Sequence, residues 1–219
     1  PDALQQKGGW VNRSIIQWFS EFVECCIKNF GDRVKHWMIL NEPMVFTGAG
    51  YFLGVHAPGK KGLGNFLAAA HHAALCQAEG GRIVRSLCAD AKIGTTFSYS
   101  HLEPYRPNLL RDNNATVKAD ALVNRMFIEP LLGMGYPKKD LPLLNRIERY
   151  MKPEDEANLA FDMDFIGLQN YTREIIKYSP FVPFVNAKVI KASKRNVPFT
   201  QMDWEVYLSL IHISEPTRQ

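Results

Sequence analysis

The stretch that decides the fold is NRSIIQWFSEFVECCIKNFGDRVKHWMILNEP, residues 12–43. Its first half carries apolar side chains three or four positions apart, the spacing of one helix face, at Ile15, Phe19, Phe22, Cys26 and Phe30. We predict a helix from Asn12 to Phe30, capped by Asn12 and ended by Gly31. The short apolar run Val34–Leu40 then stops at Asn41, which predicts a strand buried on both faces.

The same alternation of helix and strand continues along the chain. The patterns predict helices over Asn65–Ser86, over Ala115–Phe127 and from Pro153, and strands over Lys92–Ser98 and Asp164–Gln169. Strands separated by helical crossovers are typical of an α/β protein with a parallel sheet. Long loops rich in glycine, proline and aromatics after the strands favour a barrel. A doubly wound sheet is the alternative, although no glycine-rich phosphate loop follows any strand.

Composition and charge exclude several classes of protein. The 219 residues are 46% hydrophobic and 22% charged, as in ordinary globular proteins. The net charge of +4 is small and basic residues are interspersed with acidic ones, so we expect no nucleic-acid partner. No apolar run reaches the roughly 18 residues that a membrane-spanning helix needs, so we expect no membrane partner either. Nothing in the sequence indicates an oligomeric state.

The four cysteines, Cys25, Cys26, Cys76 and Cys88, fall in or directly after predicted helices. Adjacent Cys25 and Cys26 cannot bridge each other without strained geometry, so no disulfide framework is indicated. Free thiols are typical of a reducing compartment, and we therefore expect a cytoplasmic protein. Any targeting segment ahead of Pro1 lies outside the sequence.

The end of the sequence differs from the rest. Residues Leu208–Gln219, LSLIHISEPTRQ, break the preceding pattern and resemble the translation of a sequencing-library adapter. We therefore predict one natural segment, residues 1–207, followed by an artefact at residues 208–219.

Asn41-Glu42-Pro43 is the main candidate for chemistry. Proline disfavours the helical region for the residue before it, so we expect Glu42 in an extended conformation at the strand end. A carboxyl group held there can donate a proton and later recover it. The Glu-Pro dipeptide alone is not specific, because it recurs at Glu103, Glu129 and Glu215.

The segment HWMILNEPMVFTGAGYFLGVHAPG, residues 36–59, closely resembles glycoside hydrolase family 1, the β-glucosidase family. It combines Asn-Glu-Pro at a strand end with the Gly-Tyr-x-x-Gly-x-x-Ala-Pro-Gly run of Gly50–Gly59. Further similarities extend to Tyr207: Lys7–Trp10, Pro130-Leu131, Gly135-Tyr136-Pro137, Asp164–Gly167 and Asn170-Tyr171-Thr172.

The resemblance implies a partial TIM (β/α)8 barrel, roughly from its third helix to its sixth strand. It also implies that Glu42 is the catalytic acid/base and that Asn41 binds the sugar 2-hydroxyl. Tyr171 matches a tyrosine that hydrogen-bonds the nucleophile in the family. Gln169 occupies a sugar-facing position where many members have asparagine, so it keeps the amide on a longer side chain.

The family's retaining mechanism uses two carboxyl groups and neither a metal nor an organic cofactor. The resemblance places the nucleophilic glutamate beyond Tyr207, so we expect the isolated chain to be inactive on its β-glycoside substrate. The rival interpretation is a non-catalytic sugar-binding or interaction protein on the same barrel. His71 and His72 point about a hundred degrees apart on a helix, which argues against a metal site.

Overall fold

The computed structural model describes residues 1–210, so the part of the predicted artefact from residue 211 onward lies outside the described residues. The chain forms two compact units. The first contains Pro1–Phe97, Met126–Tyr136 and Leu144–Gly167, and the second contains Ser98–Arg125, Pro137–Leu143 and the residues from Leu168 on.

The helices and strands alternate in much the predicted order. They are α1 (Asp2–Gln6), α2 (Ile15–Phe30), β1 (His36–Asn41), α3 (Pro43–Thr47), α4 (Leu63–Leu87), β2 (Lys92–Pro104), α5 (Leu110–Asp120), α6 (Met126–Leu131), α7 (Asp155–Asn158), β3 (Phe165–Tyr178) and β4 (Ala187–Ile190). Short 3-10 segments lie at Gly9–Val11, Pro142–Tyr150 and Ala192–Lys194, and π-helical segments lie at Gly48–Leu53 and Ala121–Arg125.

The strands form one sheet in the order β1-β2-β3-β4. β1 and β2 are parallel, with His36 opposite Lys92. Within the first unit β2 and β3 also run in the same direction, because Asp164 N donates to Ile93 O at 2.7 Å and Gly167 lies against Thr96 further along both strands. The predicted strand-helix-strand alternation is therefore confirmed. β4, which pairs with β3 in antiparallel fashion, was not predicted.

Two predicted helix starts are displaced. α2 begins at Ile15, because the Asn12 side chain accepts a hydrogen bond from Ser14 N at 2.9 Å and makes a turn before the helix. α4 begins at Leu63, so Asn65 lies inside its first turn and donates to Lys61 O instead of capping the helix. The helices themselves are confirmed.

The two glycines of α4 are required by close packing. A Cβ atom on Gly80 would lie 2.7 Å from Ile39 Cγ2, and one on Gly81 would lie 2.5 Å from Phe161 Cε1. Both distances are shorter than carbon atoms tolerate. The helix therefore accepts the roughly 1 kcal/mol propensity penalty of each glycine and lets its backbone approach the β1 side chain and the segment before β3.

The prediction that the first strand is buried on both faces is wrong. Trp37 and Ile39 pack against the apolar core of the first unit, while on the other face Met38 is 60% exposed and only Leu40 is buried. That core consists of Val23, Ile27, Val84, Cys88, Ala91 and Ile93, contributed by α2, α4, β2 and the connection between α4 and β2. Helices thus cover one face of β1, and the apolar run continues onto a face that they do not reach.

The later elements are longer than predicted. β2 continues to Pro104 and β3 to Tyr178, and the helix predicted over 115–127 belongs to a helical stretch that runs from α5 through a π segment into α6. In the second unit Ala115, Ala119 and Ile176 form a small core between α5 and β3. The predicted site residues Asn41, Glu42, Gln169 and Tyr171 are carried by β1, β3 and the residue that follows β1.

Candidate active site

Glu42 stands where β1 ends and α3 begins, in the first unit. Its backbone N–H donates to Thr96 O of β2 at 2.9 Å, and its carbonyl accepts from Val45 N at 2.9 Å. Glu42 is therefore the N-terminal cap residue of α3, with Pro43 at the first helical position, where the missing proline N–H costs nothing. These two bonds tie the residue to both the sheet and the helix.

The prediction that Glu42 is extended is wrong. Its backbone lies in the left-handed region, at φ 47° and ψ 61°. This conformation costs a residue with a side chain about 1–2 kcal/mol, and it persists because the strand bond and the helix bond hold the residue from both sides. Such strain is often found at functional sites.

The Glu42 side chain is half-buried, and its Oε1 atom is buried without a hydrogen-bond partner. Most buried polar atoms in folded proteins have such a partner, so an exception calls for an explanation. A substrate hydroxyl, glycosidic oxygen or water reaching this oxygen would complete its hydrogen bonding. This oxygen can therefore accept a further hydrogen bond.

Asn41, the last residue of β1, is oriented by a neighbour that the sequence interpretation missed. Thr96 Oγ1 of β2 donates to Asn41 Oδ1 at 2.9 Å. With its oxygen accepting that bond, the exposed Asn41 amide addresses other groups through its NH2 donors. Only the register of β1 on β2, which sets Asn41 opposite Thr96, could have revealed this pair.

Gln169 and Tyr171 lie on β3 in the second unit, two residues apart on the same side of the strand. Tyr171 OH donates to Gln169 Oε1 at 2.8 Å, so the structure brings these two predicted residues together. The Tyr171 ring is 55% exposed and lies 5.2 Å from the ring of Trp204, at 32°. Trp204 was not predicted, since it lies more than thirty residues away in a region without a regular pattern.

Next to this group is a buried ion-pair cluster in the second unit. Glu205 accepts from Arg173 at 2.7 and 3.1 Å and from Arg195 at 2.8 Å, and Arg173 also pairs with Glu103 at 3.2 Å. Burial alone would raise the pKa of Glu205, but the two guanidinium groups outweigh it and hold that pKa below its ordinary value. The cluster fixes the strand segment that follows Tyr171.

His71 and His72 belong to internal hydrogen bonding of the first unit. His71 Nε2 is 2.8 Å from Asp155 Oδ2 and Nδ1 is 2.9 Å from Tyr136 OH, while His72 Nδ1 is 2.9 Å from Trp10 O. Arg13 forms a bidentate pair with the same Asp155. In residues 1–210, no three His, Cys, Asp or Glu side chains are arranged to hold a metal ion.

Comparison with known proteins decides the family, because the sequence profile of glycosyl hydrolase family 1 matches residues 1–213. The chain belongs to this family. Beta-glucosidase A of Thermotoga maritima is 33% identical to the family 1 chain over 211 residues, which are 94% of the chain and 45% of that protein. Beta-glucosidase A of Acetivibrio thermocellus is 35% identical over 214 residues, at 94% and 46% coverage.

Solved structures agree with the family 1 assignment. The family 1 β-glucosidase from Thermotoga maritima matches with a TM-score of 0.90 at 32% identity, over 98% of this chain and 47% of that chain. The AHE enzyme from Alicyclobacillus herbarius matches with a TM-score of 0.91 at 26% identity, with the same coverage of both chains. The predicted partial TIM barrel is thus confirmed, and this family 1 chain spans about half the length of the relatives it matches.

Two further observations concern membranes and small molecules. No helix among the described residues is long and apolar enough to cross a bilayer. Small sugar-like molecules occupy solved relatives of this family 1 chain, for example the Thermotoga maritima β-glucosidase in complex with deoxynojirimycin.

Proposed function

We propose that the full-length protein containing this chain hydrolyses a terminal β-glucoside or a related sugar with retention of configuration, and that Glu42 is its acid/base. The observation that carries the proposal is the Glu42 carboxyl group, held at a strand end with Oε1 buried and unpartnered. Active sites of parallel barrels are built at the C-terminal ends of the strands. The named relatives are β-glucosidases.

In the first step Glu42 protonates the glycosidic oxygen as the bond to the anomeric carbon breaks. In the second step the same carboxylate removes a proton from water, which then attacks the glycosyl-enzyme intermediate. The strained backbone of Glu42 supports this role, because it holds the carboxyl group in one place for both steps.

Asn41 and Tyr171 have supporting roles in the proposal. The Asn41 NH2 group donates to the sugar 2-hydroxyl, a contact that strengthens as the oxocarbenium-like transition state develops. Its fixed orientation, with Thr96 bonded to its oxygen, supports this assignment. Tyr171 orients the second carboxylate when that carboxylate replaces Gln169 Oε1 as the acceptor of its single hydroxyl proton, and Gln169, released from this bond, contacts the sugar.

Retention requires a second carboxylate about 5–5.5 Å from the first, acting as nucleophile. We assign no residue of this chain to that role and propose that another part of the full-length protein supplies it. The chain of 219 residues would then bind or position sugar without turning it over.

The test is Glu42→Gln in the full-length protein, with Glu129→Gln as a control in another Glu-Pro pair. General acid catalysis contributes about 10²–10⁴-fold, so kcat/KM for an alkyl glucoside should fall by that factor. For dinitrophenyl glucoside, whose leaving group needs no proton, the rate of the first step in Glu42→Gln should fall far less. Azide added to this variant should attack the glycosyl-enzyme intermediate and yield the β-glucosyl azide. Equal turnover of the alkyl glucoside by Glu42→Gln and the control would refute the assignment.

The rival interpretation, a non-catalytic sugar-binding protein, is distinguished by the unsubstituted full-length protein. Binding of deoxynojirimycin without hydrolysis of either glucoside would favour the rival. Hydrolysis in which proton NMR shows the β-anomer of the sugar as the first product would favour the enzyme.

A further inference from the structure

Asn124, in the π-helical segment Ala121–Arg125, binds the backbone of β2 at a single residue. Its Oδ1 accepts from Ser100 N at 3.0 Å and its Nδ2 donates to Ser100 O at 2.9 Å. The side chain is 4% exposed, so neither bond is shared with bulk solvent. A side-chain amide presents an acceptor and a donor side by side, so it can satisfy both backbone groups of one residue.

The orientation of the Asn124 amide is set by a carboxylate. Asn124 Nδ2 also donates to Asp120 Oδ1 at 2.7 Å, one helical turn earlier. A carboxylate only accepts hydrogen bonds, so the NH2 group must face Asp120 and the oxygen must face Ser100 N. The π-helical turn places Asn124 where both contacts are possible, and such turns are frequent at functional sites.

The β2 backbone needs this partner. Thr96 O accepts from Glu42 N, which directly follows the last residue of β1. Alternate residues of a strand direct their backbone groups to the same side, so Ser100 continues the edge of β2 on which Thr96 makes that bond. At Ser100 the Asn124 side chain takes the place of a strand partner for the β2 backbone. Unpaired buried backbone groups would otherwise destabilise the extension.

Within the second unit, the Ser100 segment lies beside the segment that carries Tyr171. Glu103 pairs with Arg173 at 3.2 Å, and Tyr105 N donates to Ile176 O at 2.7 Å, so these parts of β2 and β3 are neighbours. Ser100 precedes Glu103 by three residues and Tyr171 precedes Arg173 by two. Because the strands run in the same direction, Ser100 flanks Tyr171 and its partner Gln169.

We infer that Asn124 is a positioning residue of the sugar site: its amide clamps the Ser100 backbone and so fixes the segment of β2 that flanks Tyr171 and Gln169. This inference rests on the proposed function. A displacement of about 1 Å at a site can lower the rate about a hundredfold, so the clamp affects turnover without touching the sugar.

The test is Asn124→Asp in the full-length protein, with Asn114→Asp, an exposed residue of α5, as the matched control. The introduced carboxylate has the shape of the asparagine amide but cannot donate to Ser100 O, and it faces the Asp120 carboxylate. At pH 7.5, and at a temperature well below the melting temperature of the variant, we expect kcat/KM for an aryl glucoside to fall at least about tenfold. Most of this fall should be a lower kcat rather than a higher KM. The loss relative to the unsubstituted protein should shrink towards pH 5, where the introduced carboxyl group takes up a proton and regains a donor.

A second variant, Asn124→Ser, removes the clamp without adding charge, and serves if Asn124→Asp does not fold. It should show the loss of kcat but no recovery at low pH. Suppose that Glu42→Gln inactivates the protein but the folded Asn124 variants keep kcat/KM within twofold of the unsubstituted protein. This result would overturn the role of Asn124 and leave the proposed function standing. An unsubstituted protein that neither hydrolyses glucosides nor binds deoxynojirimycin would overturn the proposed function together with the clamp.

Discussion

His72 predicts how acid affects the stability of the first unit. The side chain is 4% exposed on α4, and Nδ1 must carry the proton because its partner, Trp10 O, only accepts. The pKa of His72 is lowered from its ordinary 6.5 to about 4: burial is the largest cause, and His71 and Arg13 add to it, against the raising effects of Trp10 O and Asp155. His72 is therefore neutral in the folded protein at pH 5 but charged in the unfolded chain.

The sign and size follow from proton linkage. Between pH 6.5 and about 4 the unfolded state binds a proton that the folded state does not, so stability decreases as the pH falls. A tenfold difference in proton affinity is worth about 1.4 kcal/mol, so His72 alone removes about 2 kcal/mol between pH 7.5 and 5 and about 3 kcal/mol once the pH falls below 4. His71, whose pKa burial also lowers, acts in the same direction.

The assay is urea unfolding of the full-length protein at pH 7.5 and pH 5, compared with His72→Asn. Asparagine places an amide nitrogen near the position of Nδ1, keeps a donor for Trp10 O and does not titrate. Between pH 7.5 and pH 5 the free energy of unfolding of the variant should fall by about 2 kcal/mol less than that of the unsubstituted protein. The control is His56→Asn, at an exposed histidine. Its free energy of unfolding should change between the two pH values as much as that of the unsubstituted protein. An identical pH dependence for His72→Asn and the unsubstituted protein would refute the reasoning.

Three further substitutions test the structure. Thr96→Val removes the bond that orients Asn41, which is worth about 1 kcal/mol, so kcat/KM for a glucoside should fall roughly fivefold, whereas kcat/KM for a 2-deoxyglucoside should be unaffected. Asp155→Asn removes the partner of a buried ion pair and should lower the free energy of unfolding by about 3 kcal/mol in urea, with an unchanged value as the contrary result. Gly81→Ala forces a Cβ against Phe161 and should lower it by about 1–3 kcal/mol, although alanine favours a helix; a rise in the melting temperature would contradict this packing.

Local patterns predicted the main elements well. α2 and α4 follow from apolar spacing, and β1 from a short apolar run that ends at a proline-containing turn. The errors are at boundaries and in burial. Asn12 and Asn65 were predicted as caps, but their side chains bind nearby backbone groups in other geometries. β1 was predicted to be buried on both faces because an apolar run does not show which neighbours exist.

The candidate site divides in the same way. Asn41, Glu42, Gln169 and Tyr171 were found from motifs; the structure places Asn41 and Glu42 at the end of β1, and Gln169 and Tyr171 within β3, which continues to Tyr178. The left-handed backbone of Glu42 was not foreseen, since the preference of a residue before proline is local and two long-range hydrogen bonds override it.

The family, the order of helices and strands, and the chemical types of the residues at the end of β1 and within β3 can be read from local sequence, because each depends on residues close together in the chain. Only the tertiary structure decided that Thr96 orients Asn41, that Asn124 holds Ser100 and that Trp204 lies against Tyr171. These contacts depend on strand register and helix packing, which bring together residues separated by 24 to 55 positions, and no local pattern records them.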